Sequence, residues 1–282
     1  MLTEPEDPKD LEDFPQKGFL SEYTENGVER FRQGMSGWVA CFERINSLAI
    51  KTLRDCRIID QDAIALLALS TFSRALATFQ GSFILATRGL DCDSKSLQRN
   101  LTEDSIVISA CVRNRAIVEK FIRSTEDHRR KAIDGLLNTE GATGNLLPEE
   151  IDQLRKEQGR LTTQKRAKEI PQVTYQELAE KGGSKPVFNV HYRHLSIFAH
   201  PSPTGLAQEL VYKDEKVIGV RSGPDYHDAH GNLSTSTFLM IRMLEDVESI
   251  FKLGITQEIN ALRRERDALN AQWFPPRNKV ER

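Results

Sequence analysis

The sequence lacks the features that mark most common enzyme and secreted-protein classes. Its 282 residues include only four cysteines, Cys41, Cys56, Cys92 and Cys111, and no two of them form a CxxC pair. Such spacing is typical of small core residues in a reducing compartment, so neither a disulfide framework nor a zinc knuckle is expected. The sequence also has no Walker A loop, no GxGxxG fingerprint and no GxSxG nucleophile elbow.

A strong net charge and a long apolar run are missing as well. Lys and Arg number 39 and Asp and Glu 41, for a net charge of -2, which excludes a strongly basic nucleic-acid binder but not a local basic patch. The most apolar stretch, residues 63–90, is interrupted by Arg74, Gln80 and Arg88, and its helical periodicity predicts a buried helix. The acidic N-terminus does not resemble a signal peptide. We therefore expect a cytoplasmic protein without a membrane partner.

The spacing of apolar residues predicts an all-α fold, a helical bundle with a small β-hairpin insert. Residues 1–20 are acidic and contain proline, and a flexible tail is expected there. Residues 21–255 are expected to form a single helical domain, with the hairpin at about 208–222, where apolar and polar residues alternate around KDEK. Residues 256–282 are expected to form a basic C-terminal helix and tail that offers an interaction surface.

Capping and breaking signals predict where the helices begin and end. The helix that Pro148 opens is rich in charge, and its basic residues outnumber the acidic ones toward the C-terminal end. A solvated helix face is the simpler interpretation of this pattern, and an RNA-facing patch is the alternative. The predicted helices run from Ser21 or Thr24 to about Asp55, from Asp60 or Gln61 to Ala86, from about Asp93 to about Arg123, from an N-cap at Ser124 to about Asn138, from Pro148 to about 169, from Thr174 to Gly182, from about 184 to Pro201, and from about 233 to 269 with a break at Gly254.

One segment, HYRHLSIFAHPSP at 191–203, carries the candidate chemistry. Arg193 and His200 are seven residues apart, about 700° of helix, so they share one face with Ser196 between them. Pro201 disfavours the helical conformation at His200, which places His200 at the helix C-terminus. Arginine binds phosphate oxygens in a fork and histidine moves a proton near neutral pH, so this set suits phosphate chemistry. The alternative is a structural role, in which both side chains bond the neighbouring hairpin.

The pattern of Arg, six residues and His, with a polar residue directly after the Arg, resembles the motif of HEPN ribonucleases. The resemblance implies a small α-helical domain that dimerises, so that two such helices form one composite site. It further implies metal-independent cleavage of RNA, without a cofactor, through attack of the 2′-hydroxyl on the adjacent phosphate. Arg193 would then stabilise the phosphorane or orient the phosphate, His200 would be the general acid or base, and His194 would fill the polar position. The same resemblance implies the effector of a bacterial defence or toxin–antitoxin system, with an antitoxin or defence-system partner.

A second resemblance covers more of the chain. The stretch SLQRNLTEDSIVI, followed about 90 residues later by YRHLSIFAHPSP, is similar to an uncharacterised bacterial helical family, a domain of unknown function. That family pairs an Arg-xxx-Glu helix with a Tyr-Arg-x-Leu-Ser-xxx-His helix, and it would cover about residues 30–255. The resemblance implies no established activity. The matching residues are Arg99, Glu103, Tyr192, Arg193, Leu195, Ser196 and His200.

Arg99 and Glu103 are four residues apart on one predicted helix face. Their spacing is typical of a surface ion pair worth a few tenths of a kcal/mol. The surrounding helix is otherwise apolar, which favours a second interpretation. In that interpretation Glu103 packs near the face that carries Arg193 and His200 and orients one of the two.

Histidine clusters leave a metal-dependent hydrolase open as an alternative. His191 and His194 form HxxH, and the loop DYHDAH adds His227 and His230. Imidazole and carboxylate ligands can hold zinc, manganese or iron, although the sequence has no HExxH motif. This alternative predicts that a histidine of the loop approaches the HxxH pair.

Three functions therefore remain open, and the placement of two side chains separates the first two. A HEPN-like endoribonuclease predicts that Arg193 and His200 point into an open groove or a dimer seam. A non-catalytic helical module that binds a protein or nucleic-acid partner predicts that both are buried and bonded to backbone groups. The metal-dependent hydrolase requires the histidine ligands to meet.

Overall fold

The computed structural model describes residues 13–57, 62–200, 203–221 and 223–273. The described chain is all-α with one two-stranded antiparallel hairpin, so the predicted fold class is confirmed. The beginning of the predicted N-terminal tail and the end of the predicted C-terminal tail lie outside the described residues, as does the predicted helix start at Asp60 or Gln61.

The helices follow one another with short connections, and a π-helical turn at Phe188–Tyr192 joins α9 to α10. Two 3₁₀ turns, Gly18–Leu20 and Ala207–Glu209, flank other elements. The elements are α1 (Phe14–Lys17), α2 (Tyr23–Gly34), α3 (Ser36–Asp55), α4 (Ala63–Thr87), α5 (Asp91–Arg113), α6 (Arg115–Asn138), α7 (Pro148–Arg166), α8 (Tyr175–Lys181), α9 (Lys185–Val187), α10 (Arg193–Ala199), α11 (Pro203–Leu206), β1 (Leu210–Lys213), β2 (Lys216–Val220), α12 (Ala229–Phe251) and α13 (Thr256–Trp273).

Two of the predicted long helices are each split in the structure. The first is interrupted at Met35, between α2 and α3. The third ends before Asn114, whose side chain accepts a hydrogen bond from the amide of Ile117 at 3.1 Å and thereby caps α6. The predicted N-cap at Ser124 is wrong, because Ser124 lies inside α6 and donates to the carbonyl of Phe121 at 2.6 Å. A serine within a helix can satisfy its hydroxyl in this way without ending the helix.

The predicted flexible tail is wrong for its last eight residues. Residues 13–20 form α1 and a 3₁₀ turn, and Phe14 is buried. The Phe14 ring packs edge-on against Tyr23 at a centroid distance of 5.5 Å. This aromatic contact gives the segment an anchor that its acidic composition did not indicate.

Other boundary signals are confirmed. Thr174 caps α8 by accepting a hydrogen bond from the amide of Glu177 at 3.1 Å. Pro148 occupies the first turn of α7, where its missing N–H costs nothing. Gly254 has a φ of 77° between α12 and α13, a conformation that glycine adopts without strain.

The main core lies where α3, α4, α12 and α13 meet. Phe42 stacks on Phe79 and Phe83, with ring centroids 3.8 and 4.4 Å apart. A second apolar cluster joins α4, α5, α6 and α8, and a third, smaller one holds α7 against α6. The second cluster lies beneath the candidate site and fixes the helices that carry it.

Helix α4 is long and apolar enough to cross a membrane by length and composition, and no other helix among the described residues meets both criteria. Its side chains nevertheless include several that the bundle buries, among them Ile64, Phe72 and Phe79. Helices at the centre of a helical bundle meet the same two criteria, since they too are apolar on most sides.

The predicted hairpin is confirmed at β1 and β2, which pair antiparallel with a bulge after Val211. Nearly every residue of both strands is exposed, including several large apolar ones. Because its residues are exposed, the hairpin gains little packing from the rest of the described chain. A two-stranded hairpin without such packing is only marginally stable in water. Its exposed apolar residues are Val211, Tyr212, Val217, Ile218 and Val220.

Candidate functional site

Helix α10 packs against α5 and is positioned by contacts at both of its ends. At one end the hydroxyl of Ser96 donates to the carbonyl of Phe198 at 3.1 Å. At the other end Tyr192, the last residue of the π-helical turn, stacks on Phe188 at 4.7 Å. Leu195 of α10 is buried. Single π-helical turns occur frequently at functional sites, because they reposition the side chains that follow.

Four polar side chains meet between these helices, and we call them the α5–α10 cluster: Arg99, Glu103, Tyr192 and Ser196. The Arg99 guanidinium donates to the Tyr192 hydroxyl at 3.0 Å and to the Ser196 hydroxyl at 3.3 Å. It also pairs with Glu103 at 3.1 Å. The side chains of Arg99 and Glu103 are only 17% and 13% exposed, so this is a largely buried ion pair rather than a surface one.

The two motif residues, Arg193 at the first position of α10 and His200 directly after its last, are both exposed. His200 follows the helix with an extended backbone, as the sequence predicts. The Arg193 guanidinium lies 5.7 Å from the centroid of the Phe188 ring and forms no ion pair within the part of the chain that the structure describes. His194 is also exposed, and its ring meets Phe198 edge-on at 5.5 Å. Three potential phosphate-handling groups are thus open to solvent.

One detail of the predicted site needs correction. Ser196 was expected between Arg193 and His200 on their shared face, but its hydroxyl bonds Arg99 instead and donates to the carbonyl of Tyr192 at 2.7 Å. Glu103 pairs with Arg99, as the four-residue spacing predicts, and the role of Glu103 in orienting Arg193 or His200 stays a prediction. The inward direction of these side chains follows from the packing of α10 on α5.

Glu103 is nevertheless in electrostatic contact with the histidine of the motif. Burial raises the pKa of the Glu103 carboxyl above its ordinary value, and the positive charges of Arg99, Arg74 and His200 oppose that rise. His200 therefore lies within range for its charged form to favour the Glu103 carboxylate. Of the exposed motif residues, His200 is the one whose charge acts on the Glu103 pKa.

Sequence reasoning missed a second acidic group beside the cluster. Asp104 is fully buried and pairs with Arg74 of α4, while its Oδ2 atom has no hydrogen-bond partner among the described residues. Burial raises the pKa of the Asp104 carboxyl to about 6, against the opposing charge of Arg74. Burial likewise raises the pKa of Tyr175, whose ring lies 6.1 Å from that of Tyr192, to about 12. In the sequence, the one signal of the pair between Asp104 and Arg74 was that Arg74 interrupts the otherwise apolar helix α4.

Helix α5 also carries a buried lysine that forms ion pairs. Lys95 is 7% exposed and pairs with Asp91 at 2.8 Å and with Asp228, just before α12, at 2.9 Å. Asp91, Lys95, Arg99 and Glu103 recur at every fourth residue, which aligns them along one face. That spacing was visible in the sequence and would have indicated a charged face directed at other helices.

The histidines of the metal alternative make other contacts. The His191 ring stacks on Phe238 at 5.2 Å, and the Nε2 atom of His230 accepts a hydrogen bond from the Trp38 indole at 2.8 Å. Across the described ranges, no group of three or more His, Cys, Asp or Glu side chains is arranged to hold a metal ion. The ligand group that a metal-dependent hydrolase needs is therefore not formed by His191, His194, His227 and His230.

The buried Asp104 predicts a specific pH dependence of stability. Because its folded-state pKa of about 6 exceeds the ordinary 3.8, the unfolded chain loses this proton first as the pH rises. The free energy of unfolding should therefore fall from about pH 4 to just above pH 6, by up to about 3 kcal/mol from this group. The side chain of the Asp104→Asn variant cannot ionise. The difference in the free energy of unfolding between wild type and variant should therefore change by that amount over the same pH range.

Urea denaturation of both proteins across this pH range measures the shift. Asp93→Asn, at an exposed position of the same helix, is the matched control and should follow wild type. If the free energies of unfolding of wild type and Asp104→Asn changed in parallel with pH, the raised pKa of Asp104 would be contradicted.

The fold and the site together define an all-α protein with one β-hairpin, in which a buried ion-pair cluster lies near an exposed Arg and His. A model of a family of unknown function, DUF5677, matches residues 65–217, somewhat more than half of the chain. The chain belongs to this family. The matched range runs from α4 into β2 and is shorter than the expected 30–255, but it contains both halves of the α5–α10 cluster. Neither the comparison with curated proteins nor that with solved structures found a match.

Proposed function

We propose that the protein is a metal-independent endoribonuclease of the HEPN-like type, with α10 carrying the reacting groups. The observation that carries the proposal is that α10 is held against α5 while the two motif residues at its ends stay exposed. Arg193 and His200, at its two ends, are exposed, and the helix is fixed to α5 through the Arg99 guanidinium. Catalytic groups work best when the element that bears them is held rigidly, since small displacements lower the rate strongly.

The exposure of the two motif residues favours this function over a purely structural role. A non-catalytic module would bury Arg193 and His200 and satisfy them with backbone groups. Instead both are exposed, and the only described partner of the Arg193 guanidinium is the Phe188 ring. An unpaired guanidinium at the surface is available to bind a phosphate through two parallel hydrogen bonds.

The proposed reaction needs one phosphate-binding group and groups that move protons. The 2′-hydroxyl of the RNA attacks the adjacent phosphorus, so that the O2′–P bond forms and the P–O5′ bond breaks. One proton leaves the 2′-hydroxyl and one reaches the departing 5′-oxygen, which is work for His200 as general base or acid. Arg193 binds the phosphate oxygens and stabilises the phosphorane, with His194 beside it. The products are a 2′,3′-cyclic phosphate and a 5′-hydroxyl.

In this proposal Arg99 and Glu103 are positioning residues. Arg99 bonds Tyr192 and Ser196, which lie directly before and three residues after Arg193. Fixing both sides of Arg193 limits the rotation of α10 about its axis. Glu103 neutralises the buried guanidinium and keeps it in place.

We also propose that two copies of the chain form the composite site that the HEPN resemblance implies. Exposed apolar residues near the motif support this, namely Val190 in the π-helical turn and Leu206 in α11, which are 62% and 54% exposed. The exposed hairpin follows shortly after them. A dimer seam along α10 would cover this surface and bring together the His200 side chains of both copies. A cytoplasmic role in bacterial defence, restrained by an antitoxin or defence-system partner, belongs to the same proposal.

Cleavage of mixed cellular RNA by the purified protein, with and without EDTA, tests the proposed function. Because no step uses a metal ion, we expect cleavage to proceed at the same rate in both samples. Loss of cleavage on chelation would contradict the mechanism and return attention to the histidines of the metal alternative. Absence of cleavage from both samples, over a panel of RNAs, would favour the binding module.

A further inference from the structure

Helices α6 and α7 pack against each other around a small apolar cluster. Ile133 of α6, Leu161 of α7 and Ile170 are buried against one another and hold the two helices together. Beside this core a polar groove runs between the helices. None of the side chains that line the groove is apolar. The groove is therefore suited to a polar or charged ligand.

Two arginines of α7 define the length of the groove. Arg155 and Arg166 are eleven residues apart, so they lie on nearly the same face of the helix, about 16 Å apart along its axis. Gly159 and Thr163, between them on that face, are small and leave the groove open. Both arginines are exposed, and neither forms an ion pair in the described part of the chain.

The single carboxylate in the groove is already neutralised. Asp134 pairs with Arg130 and accepts a hydrogen bond from the side-chain amide of Gln158 at 2.6 Å. Among the residues that line the groove, the two arginines of α7 therefore leave a net positive charge. Guanidinium groups with nearby amide and hydroxyl donors bind phosphate oxygens well. An elongated site of this kind matches a chain of phosphodiesters better than a single small anion.

Aromatic contacts connect the candidate site to the other end of α6. Phe121 of α6 packs on Tyr175 at 6.2 Å, and Tyr175 in turn packs on Tyr192 of the α5–α10 cluster at 6.1 Å. From Phe121 the groove begins about 14 Å further along the helix at Arg130 and ends at about 25 Å, at Asn138. A single RNA strand would have to span this distance to contact both the groove and the candidate site.

We propose that the α6–α7 groove binds the phosphodiester backbone of the RNA substrate, through Arg155 and Arg166, at a distance from the reacting groups. This inference rests on the proposed ribonuclease function. It assigns the charge pattern of α7 to RNA binding rather than to a solvated helix face.

The test is the binding of fluorescein-labelled single-stranded RNA, followed by fluorescence anisotropy at several salt concentrations. The RNA has about 20 nucleotides, which exceeds the roughly 4–16 that one single-strand site covers. All proteins carry His200→Ala, so that cleavage does not interfere. The test variant is Arg155→Gln with Arg166→Gln. The matched control is Arg54→Gln with Arg264→Gln, which removes two other exposed helical arginines that form no ion pair in the described part of the chain.

We expect the test variant to bind RNA about tenfold more weakly at low salt, with a slope of log K against log salt that is shallower by about 1.4, since each lost phosphate contact contributes about 0.7. The control should bind like the parent. Equal loss in both variants, or unchanged binding by the test variant, would overturn the inference.

Cleavage assays in the His200 background separate this inference from the proposed function. With His200 present, the test variant should show a raised KM and an unchanged kcat on the long RNA, and normal cleavage of a dinucleotide too short to reach the groove. Loss of dinucleotide cleavage would place the two arginines in the reaction and contradict the inference. Failure of every protein to cleave, with anisotropy as expected, would overturn the ribonuclease alone and leave an RNA-binding groove.

Discussion

Replacing His200 with alanine is expected to lower the rate of RNA cleavage by about 10²- to 10⁴-fold, the usual contribution of a general acid or base. His200 is exposed after the last residue of α10, and its backbone is extended rather than helical. Truncation there removes no buried contact, so the free energy of unfolding should stay within about 0.5 kcal/mol of wild type. Single-turnover cleavage of a labelled RNA measures the rate.

His194→Ala is the matched control for this variant. It removes another exposed imidazole from the same helix, one that meets Phe198 edge-on. We expect a reduction of less than about tenfold from it, because a neighbour of the phosphate contributes less than the proton-transfer group. Light scattering should give both variants the wild-type oligomeric state. Equal activity of His200→Ala and wild type would rule out His200 as the proton-transfer group.

Replacing Arg99 with methionine is expected to lower the free energy of unfolding by about 3 kcal/mol. The substitution leaves the Glu103 carboxylate buried without its 3.1 Å partner, and breaking a buried pair from one side is strongly destabilising. It also removes the hydrogen bonds to Tyr192 and Ser196. Urea denaturation with an unchanged m-value measures the loss.

A double-mutant cycle isolates the charge interaction from the loss of packing. Arg99→Met with Glu103→Gln leaves no buried charge unpaired, so the double variant should recover about 1–2 kcal/mol relative to Arg99→Met alone. The two positions are then coupled, and the α5–α10 cluster is a structural unit. A cost below about 0.5 kcal/mol for Arg99→Met would show that solvent replaces the ion pair, as it does for a surface pair.

The helical periodicity of the sequence was sufficient to predict the fold class and the hairpin, because both depend on local patterns of apolar residues. The splits at Met35 and Asn114 were missed. The apolar spacing continues across both positions, so the periodicity alone marks no boundary there. The capping role of Asn114 is apparent only from its hydrogen bond to the amide of Ile117.

The candidate site was only partly predictable, since its contacts join residues far apart in the chain. The four-residue spacing of Arg99 and Glu103 predicted the ion pair, whereas the shared face of Arg193 and His200 stays a prediction. Spacing within one helix cannot say which neighbouring helix faces it. The bonds from Arg99 to α10 and the partner of Asp104 in α4 depend on tertiary packing.

The chemical ends of the cleavage products test the central claim most directly. Wild-type protein is incubated with a defined RNA in the presence of EDTA, and the new ends are identified by mass spectrometry. Attack by the 2′-hydroxyl, assisted by His200 and Arg193, predicts a 2′,3′-cyclic phosphate on one product and a 5′-hydroxyl on the other. Products that carry a 5′-phosphate and a 3′-hydroxyl, or cleavage that requires a divalent metal ion, would contradict the account.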